Sequence, residues 1–546
     1  MGGKNLFTMI PIGTLSILLS NLEFFSLPWE LLARSNPFSG LYHTDFLDSV
    51  ILIPYFLVLI LLSIYGLHRY HLIYLYLRNR HKAPLTLKGF EQLPSVTVQL
   101  PIYNERYVVG RLLKAATTLN YPREKLEIQV LDDSTDETSK IAEGLCHEYA
   151  TLGHHVHYLH RNSREGFKAG ALAEGLKVAK GEFIAIFDAD FVPPRDILRH
   201  MVKYFTNPEI GVVQGRWTWL NRNYSLLTRV ESLLLDSHFT IEHGGRNFSG
   251  LFFNFNGTVG MWRRAAIESS GGWQHDTLTE DTDLSYRAQM KGWRFVYAPH
   301  ITCPSELPVE MNAFKTQQAR WAKGLTQNAK KILPRIWNSP LPIRVKVEAF
   351  FHLSANICYP LLLVLAYLLL PAIIIRSYRG WFQVLTIDLP LFLIATGSIF
   401  SFYLVTQKEL DPQNWKRSIK FIPLLMAVGI GLSLSNTKAV FEALIGWKSS
   451  FKRTPKYCVE KRQDSWKIKG YSMDLGWTPL LELIHGCYFT FILYYSAAGS
   501  HYTLTPFLML FMLGYFYTGS MSLLQKRLPH LVPAARTQNL NSFTNG

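Results

Sequence analysis

The sequence predicts a doubly wound α/β domain carried by a multi-span helical bundle, and three observations predict it. The stretch from about Arg69 to Val347 has ordinary globular composition, whereas both flanks carry long apolar runs. Within that stretch, short apolar runs alternate with helical periodicity, the βαβα rhythm of a parallel sheet. The run Phe183–Asp190, Phe-Ile-Ala-Ile-Phe-Asp-Ala-Asp, is an apolar strand that stops on two carboxylates. Such a strand belongs to a sheet covered on both faces, and ligands of such sheets sit at the carboxyl ends of the strands. Asp188 and Asp190 are therefore delivered to the edge where chemistry is expected. At a strand exit the two carboxylates can converge on one hard cation.

The elements follow in chain order. Leu6 to Leu32 is apolar but broken by Pro11, Glu23, Pro28 and Glu30, so it either spans a bilayer or lies in its interface. Val50 to Leu67 has the length of a span and carries no charge. Arg69, Arg78, Arg80 and Lys82 follow it and place the next segment in the cytoplasm. The spacing then predicts strands at Val96–Leu100, Glu127–Leu131, His155–Leu159 and Phe183–Phe187. Helices are predicted between them, at Val109–Thr118, Asp136–Ala150 and Gly170–Ala179. Ser134, Thr135 and Asp136 supply N-cap chemistry. Further on, Gly211–Gln214 reads as a strand and Leu226–Glu242 as a helix. Thr279-Glu280-Asp281 opens a helix that runs through Lys291, and Met311–Leu333 reads as amphipathic. Apolar spans return near Phe350–Ile375, Pro390–Val405, Phe421–Ser435, Leu481–Ala498 and Pro506–Leu524, giving six spans, or seven if the first segment crosses. The divisions are 1–68 membrane segment, 69–347 cytoplasmic domain with interface helices near 306–335, 348–524 bundle, and 525–546 tail. A basic loop, 447–469, lies within the bundle.

Composition narrows the classes. The net charge is +16, yet no DNA- or RNA-binding motif stands beside it. Basic residues flanking apolar spans fit the positive-inside rule, and an anionic nucleotide substrate suits them too. The five cysteines are scattered and form no CxxC pair. That argues against a disulfide framework or a zinc site and fits a reducing cytosol. The Phe7–Leu19 run lacks the basic n-region and small-residue cleavage site of a secretory signal.

Four polar clusters punctuate the α/β stretch: Asp132-Asp133, Asp188-x-Asp190, Glu280-Asp281 and Gln317-x-x-Arg320-Trp321. Singly, Asp132-Asp133 reads equally as a turn and Asp281 as a helix cap. Together, the order DD, DxD, TED, QxxRW resembles the family 2 glycosyltransferases of GT-A fold, in particular their membrane-embedded processive branch of cellulose, hyaluronan, chitin and mannan synthases. The resemblance covers roughly Pro94 to Trp321. Val130-Leu-Asp-Asp-Ser-Thr-Asp136, Gly166-Phe-Lys-Ala-Gly170, Phe255-Asn-Gly-Thr258, Thr279-Glu-Asp-Thr-Asp-Leu284 and Gln317-Gln-Ala-Arg-Trp321 are most similar to the mannan and glucomannan synthases of that branch.

The resemblance implies a GT-A mixed sheet and an inverting, processive β-glycosyltransferase. The substrates would be a nucleotide sugar, UDP-glucose or GDP-mannose, and a growing β-glycan led through the bundle. A divalent cation, Mg²⁺ or Mn²⁺, would neutralise the diphosphate leaving group. Asp190 would be its ligand, with Asp188 against the nucleotide. Tyr103, Glu105 and Asp132 or Asp133 would hold the base and ribose, and Lys168 the diphosphate. Arg320 offers a bidentate fork to the diphosphate, with Gln317 on the same helix face. Trp321 offers a sugar-stacking face at the acceptor end. The acceptor hydroxyl needs a base, and Asp281, beside Glu280, is the candidate. Phe451-Lys-Arg-Thr-Pro-Lys456 resembles the gating-loop motif Phe-x-Val-Thr-x-Lys, with Phe451, Thr454 and Lys456 matching and Arg453 in place of Val. The expected setting is a multi-pass protein of a plasma, inner or Golgi-type membrane with its catalytic domain in the cytoplasm. An accessory subunit is compatible with the sequence but not readable from it. The rival enzyme reading is a non-processive lipid glucosyltransferase, which shares DxD and QxxRW. A transporter with a nucleotide-binding domain would leave the four clusters unexplained.

Overall fold

The computed structural model describes residues 45–81, 89–378, 388–447, 453–466, 476–499 and 504–531. The Leu6–Leu32 segment, Phe451 and the tail beyond residue 531 lie outside them. In the described residues a seven-stranded sheet runs β3-β2-β1-β4-β6-β5-β7. Its strands are β1 Val96–Ile102, β2 Leu126–Asp132, β3 Val156–His160, β4 Phe183–Ile186, β5 Ile210–Trp219, β6 Gly260–Arg263 and β7 Arg294–Ser305. β1 lies parallel to both β2 and β4, whereas β6 runs antiparallel to β4 and β5. The sheet is therefore mixed, as GT-A sheets are.

Burial explains the strand composition. β4 is central and wholly buried, so both its faces are apolar. Phe183 and Ala185 join Leu112, Leu113 and Ala142, from the Val109–Thr117 and Thr138–Thr151 helices, on one face. Ile184 and Ile186 join Leu172, Ala266 and Leu284 on the other. Each such large apolar side chain contributes about 1.5–3 kcal/mol on burial. The register pairs Ile102 with Asp132, and Gln99 with Ile186. Residues 103–105, 132–133 and 188–190 therefore leave the sheet along one carboxyl edge.

The flanking helices bring two corrections. Phe46–Asn79 and Ile343–Arg376 are long helices that run through the divisions drawn at 68/69 and 347/348, so those boundaries fall inside elements. The apolar run near Phe421–Ser435 is not one straight helix. It is broken between Lys416–Gly431 and Ser433–Ile445, which meet at a 45° bend. Among the described residues five helices are long and apolar enough to cross a membrane, and this bent pair makes a sixth if it counts as one span. Leu52, Leu365, Phe489, Phe511 and Tyr515 form the bundle core. The Met311–Trp337 helix joins the two parts. Its Lys323 pairs with Glu442 at 2.7 Å, and its Lys315 pairs with Glu482 at 2.5 Å with both groups fully buried.

Candidate active site

One cleft opens at the carboxyl edge of the sheet. Its walls include Tyr103, Glu105, Asp133, Arg164, Lys168, Asp188, Asp190, Asn256, Gly257, Glu280, Asp281, Gln317, Arg320, Trp321, Arg453, Thr454 and Lys456. The residues come from the ends of β1, β2 and β4, the Asn256-Gly-Thr turn, and the first turns of the Phe167–Val178 and Glu280–Met290 helices. The middle of the Met311–Trp337 helix and the 453–459 segment complete it. Asp132 is not among them. Its carboxylate points beneath the sheet edge, accepting from the Tyr158 hydroxyl at 2.7 Å and the Ser134 amide at 2.8 Å. Only Asp133 of that pair faces the cleft, held by the Arg161 guanidinium through Nε at 2.7 Å.

Each carboxylate of the Asp188-x-Asp190 pair meets a lysine. Lys168 Nζ donates to Asp188 and, at 2.9 Å, to the Gly257 carbonyl. Lys456 Nζ lies 2.9 Å from Asp190 Oδ2 and donates to the Glu306 carbonyl at 2.7 Å. Burial works to deprotonate both lysines, but the facing aspartates win and raise them, so both stay charged. The Asp188 amide donates to Thr258 Oγ1 at 2.9 Å, which ties this strand end to the Asn256-Gly-Thr turn.

Gly257 has φ +77°, and a Cβ there would meet Asp281 Oδ2 at 3.0 Å. Glycine is needed for both the left-handed backbone and the close approach. Burial first, then the neighbouring Glu280 charge, pushes Asp281 from 3.8 up to about 7. Burial likewise lifts Glu105 to about 7, against the opposing charge of Arg453. A carboxyl titrating near neutrality is suited to proton transfer.

The 453–459 segment is seated in the catalytic domain. Tyr457 N donates to Glu306 Oε1 at 2.8 Å, and Tyr457, Val459 and Trp466 pack with Val309. Thr454 is buried against the cleft, and its Oγ1 has no hydrogen-bond partner among the described residues. Arg453, where the gating motif has Val, points its guanidinium at Glu105, 3.5 Å away. A carboxylate therefore receives the departure from the motif.

Several residues in and around the cleft escaped the sequence reading. The Arg164 guanidinium stacks 3.4 Å from the Tyr103 ring centroid. Glu306 anchors the 453–459 segment. Asn256 and Gly257 were visible only as part of a motif. Glu231 is fully buried, and burial holds its carboxyl well above the ordinary value. The signal for Arg164 was its place just before Gly166-Phe-Lys. Glu231 sits inside an ordinary amphipathic helix and gave no signal.

Asp188 and Asp190 fit a hard divalent cation. No group of three or more His, Cys, Asp or Glu side chains gathers for a metal among the described residues. Two carboxylates at a strand end, completed by phosphate oxygens and water, are the usual donors for Mg²⁺ in nucleotide sites.

A model of the glycosyltransferase like family 2 matches residues 94–324. Glucomannan 4-beta-mannosyltransferase 2 of Arabidopsis thaliana is 44% identical over 253 residues, which is 45% of this chain and 47% of that protein. Glucomannan 4-beta-mannosyltransferase 7 of Arabidopsis thaliana is 31% identical over 446 residues, 79% of this chain and 77% of that protein. Over the most similar stretch the chain spans about half the length of the curated relatives it matches. Among solved structures, the mannosyltransferase PcManGT from Pyrobaculum calidifontis, in complex with GDP-Man and Mn²⁺, is 22% identical with a TM-score of 0.47. That match covers 72% of this chain and all of that one.

Proposed function

The chain belongs to glycosyltransferase family 2, and on that premise we propose that it transfers mannosyl units from GDP-mannose to a growing β-1,4-linked mannan or glucomannan, with inversion. The observation that carries the reading is the cleft itself: Asp281, lifted to about 7, borders the Lys168–Asp188 pair at the carboxyl edge of the sheet. The mannosyltransferase names of the relatives support mannose over glucose.

The chemistry follows from position. Tyr103, Arg164 and Asp133 line the end of the cleft suited to base and ribose. Lys168 and Arg320 face the diphosphate, and Thr454 and Lys456 close over it. A divalent cation, held by Asp190 and Asp188, supplies charge neutralisation to the leaving diphosphate when bound. Trp321 seats the acceptor sugar. Asp281 takes the proton from the acceptor hydroxyl as that oxygen bonds to the anomeric carbon. The bond from that carbon to the phosphate oxygen breaks, and the nucleoside diphosphate carries away the electron pair. An α-linked donor thus gives a β-linked product. The membrane-spanning helices provide the path for the lengthening glycan, with the cleft on the cytoplasmic side.

The test is a donor panel with purified full-length protein. The expected result is GDP release from GDP-mannose and a product that a β-mannanase digests. Release from UDP-glucose alone, or a chloroform-soluble glycolipid as the product, sinks the proposal.

A further inference from the structure

The helical run from Leu226 to Phe248 contains one irregular turn, the π-helix His238–His243. Regular α-helix sets residues five apart about 140° around the axis. A π turn, with its i→i+5 bonding, brings them onto nearly one face, and such turns recur at functional sites. Here it sets the His238 and His243 rings side by side, with centroids 4.4 Å apart.

Both rings converge on the side-chain amide of Asn256. Asn256 Nδ2 donates to His238 Nε2 at 2.8 Å, which leaves the Nδ1–H of His238 to donate to Glu242 Oε2 at 2.8 Å. His243 Nε2–H donates to Asn256 Oδ1. His243 is fully buried, and burial keeps its imidazole neutral. The Asn256 backbone N–H donates to Gln214 Oε1 at 2.9 Å. Asn256 is thus bonded at its amide on both sides and at its backbone.

The next residue is the one that matters for chemistry. Gly257 gives its carbonyl to Lys168 and lies against Asp281 Oδ2. We propose that His238 and His243, paired by the π turn, are positioning residues that fix Asn256 and thereby hold the Gly257 wall against Asp281 and Lys168. Neither histidine lines the cleft; they act through Asn256.

The clamp also reaches the bundle. Glu242 meets Arg246 Nη1 at 3.6 Å, and Arg246 Nε donates to Glu348 Oε1 at 2.8 Å. Glu348 Oε2 in turn bonds His68, on the apolar Phe46–Asn79 helix, at 2.9 Å. The Gly257 wall is therefore held in register with the helices through which the glycan would pass.

The inference rests on the proposed site assignment, and the experiment separates the two. Wild-type turnover of a donor tests the assignment. The clamp is then tested with whichever donor turns over, in full-length enzyme, through a double-mutant cycle on Asn256. His243→Leu and His238→Leu are expected to lower kcat by about tenfold or more with the donor KM changed less than about threefold, since small misplacements at a site carry such losses. His243→Gln, which restores a donor to Asn256, and His238→Gln, which restores an acceptor, recover most of that loss. In Asn256→Ala the leucine substitutions add nothing further. His238 is only partly buried, with 26% of its side chain exposed, so its variants report even if His243→Leu fails to fold. A leucine variant at His238 that keeps kcat within about threefold, or losses that multiply fully in the Asn256→Ala background, overturns the proposal.

Discussion

At the scale of the residue, the proposed chemistry rests on Asp281. Its carboxyl is raised from 3.8 to about 7, so the basic form is present above about pH 7 and lost below it. The kcat/KM for sugar transfer is expected to fall about tenfold per unit below pH 7 and to level off above it. Asp281→Asn abolishes transfer at every pH while donor binding persists; near-normal turnover by that variant removes Asp281 from the role of base. The same raised value has a stability consequence of definite sign. Between about pH 4 and 7 the folded chain holds this proton more tightly than the unfolded one. The contribution of Asp281 to stability therefore declines as pH rises through that window. Asp281→Asn should melt above wild type at pH 8, with the gap narrowing toward pH 5. Equal melting temperatures at pH 8 contradict the raised value.

At the scale of the element, the Met311–Trp337 helix does more than carry Gln317, Arg320 and Trp321. Asn328 Nδ2 donates to the Thr279 carbonyl at 2.9 Å and to its hydroxyl at 2.8 Å, fixing the residue that precedes Glu280-Asp281. Gly324 lets the two elements touch. A Cβ there would meet Thr279 Cγ2 at 2.6 Å, Oγ1 at 2.7 Å and the backbone nitrogen at 2.9 Å. Gly324→Ala is intrinsically better for a helix by about 1 kcal/mol, so the helix itself does not suffer. The displaced Thr279 carries Asp281 with it, and kcat should drop on the order of 10- to 100-fold. A steady-state assay beside a melting curve checks this: unchanged kcat means that Thr279 can move without Asp281.

At the scale of the whole molecule, the catalytic domain and the bundle meet through a buried charge pair. Lys315 and Glu482 are both fully buried, and Lys315 also donates to Ser522 Oγ at 3.1 Å. Removing one partner leaves the other charge buried and alone, which costs about 3–5 kcal/mol. Lys315→Met should therefore lower the melting temperature of the detergent-solubilised protein sharply. Adding Glu482→Leu should recover most of the loss, because an apolar pair replaces an ionic one at little net cost. A double variant as unstable as the single one would assign the effect to packing instead.

Much of this protein was legible before any fold was built. The parallel half of the sheet was readable because β4 is a wholly apolar run and β1 and β2 alternate apolar residues with Thr97, Gln99, Glu127 and Gln129, and Asp188-x-Asp190 was readable because it follows β4. The antiparallel β6 and the long edge strand β7 were not. Gly260–Arg263 is four residues long, and Arg294–Ser305 is interrupted by Pro299 and shifts register against β5 near Gly215; neither carries a period to read. Sequence spacing likewise could not separate Asp133, in the cleft, from Asp132, whose carboxylate turns under the sheet, because alternation fixes only opposite faces. By itself the sequence determined the family, the apolar spans and the order of the acidic clusters, since these depend on composition and local pattern. Only the tertiary structure decided that Lys168 and Lys456 each face one aspartate, that Glu105 receives Arg453, and that a π turn pairs His238 with His243 on Asn256. Those contacts join residues up to some 350 positions apart, and no local pattern encodes a distance of that kind.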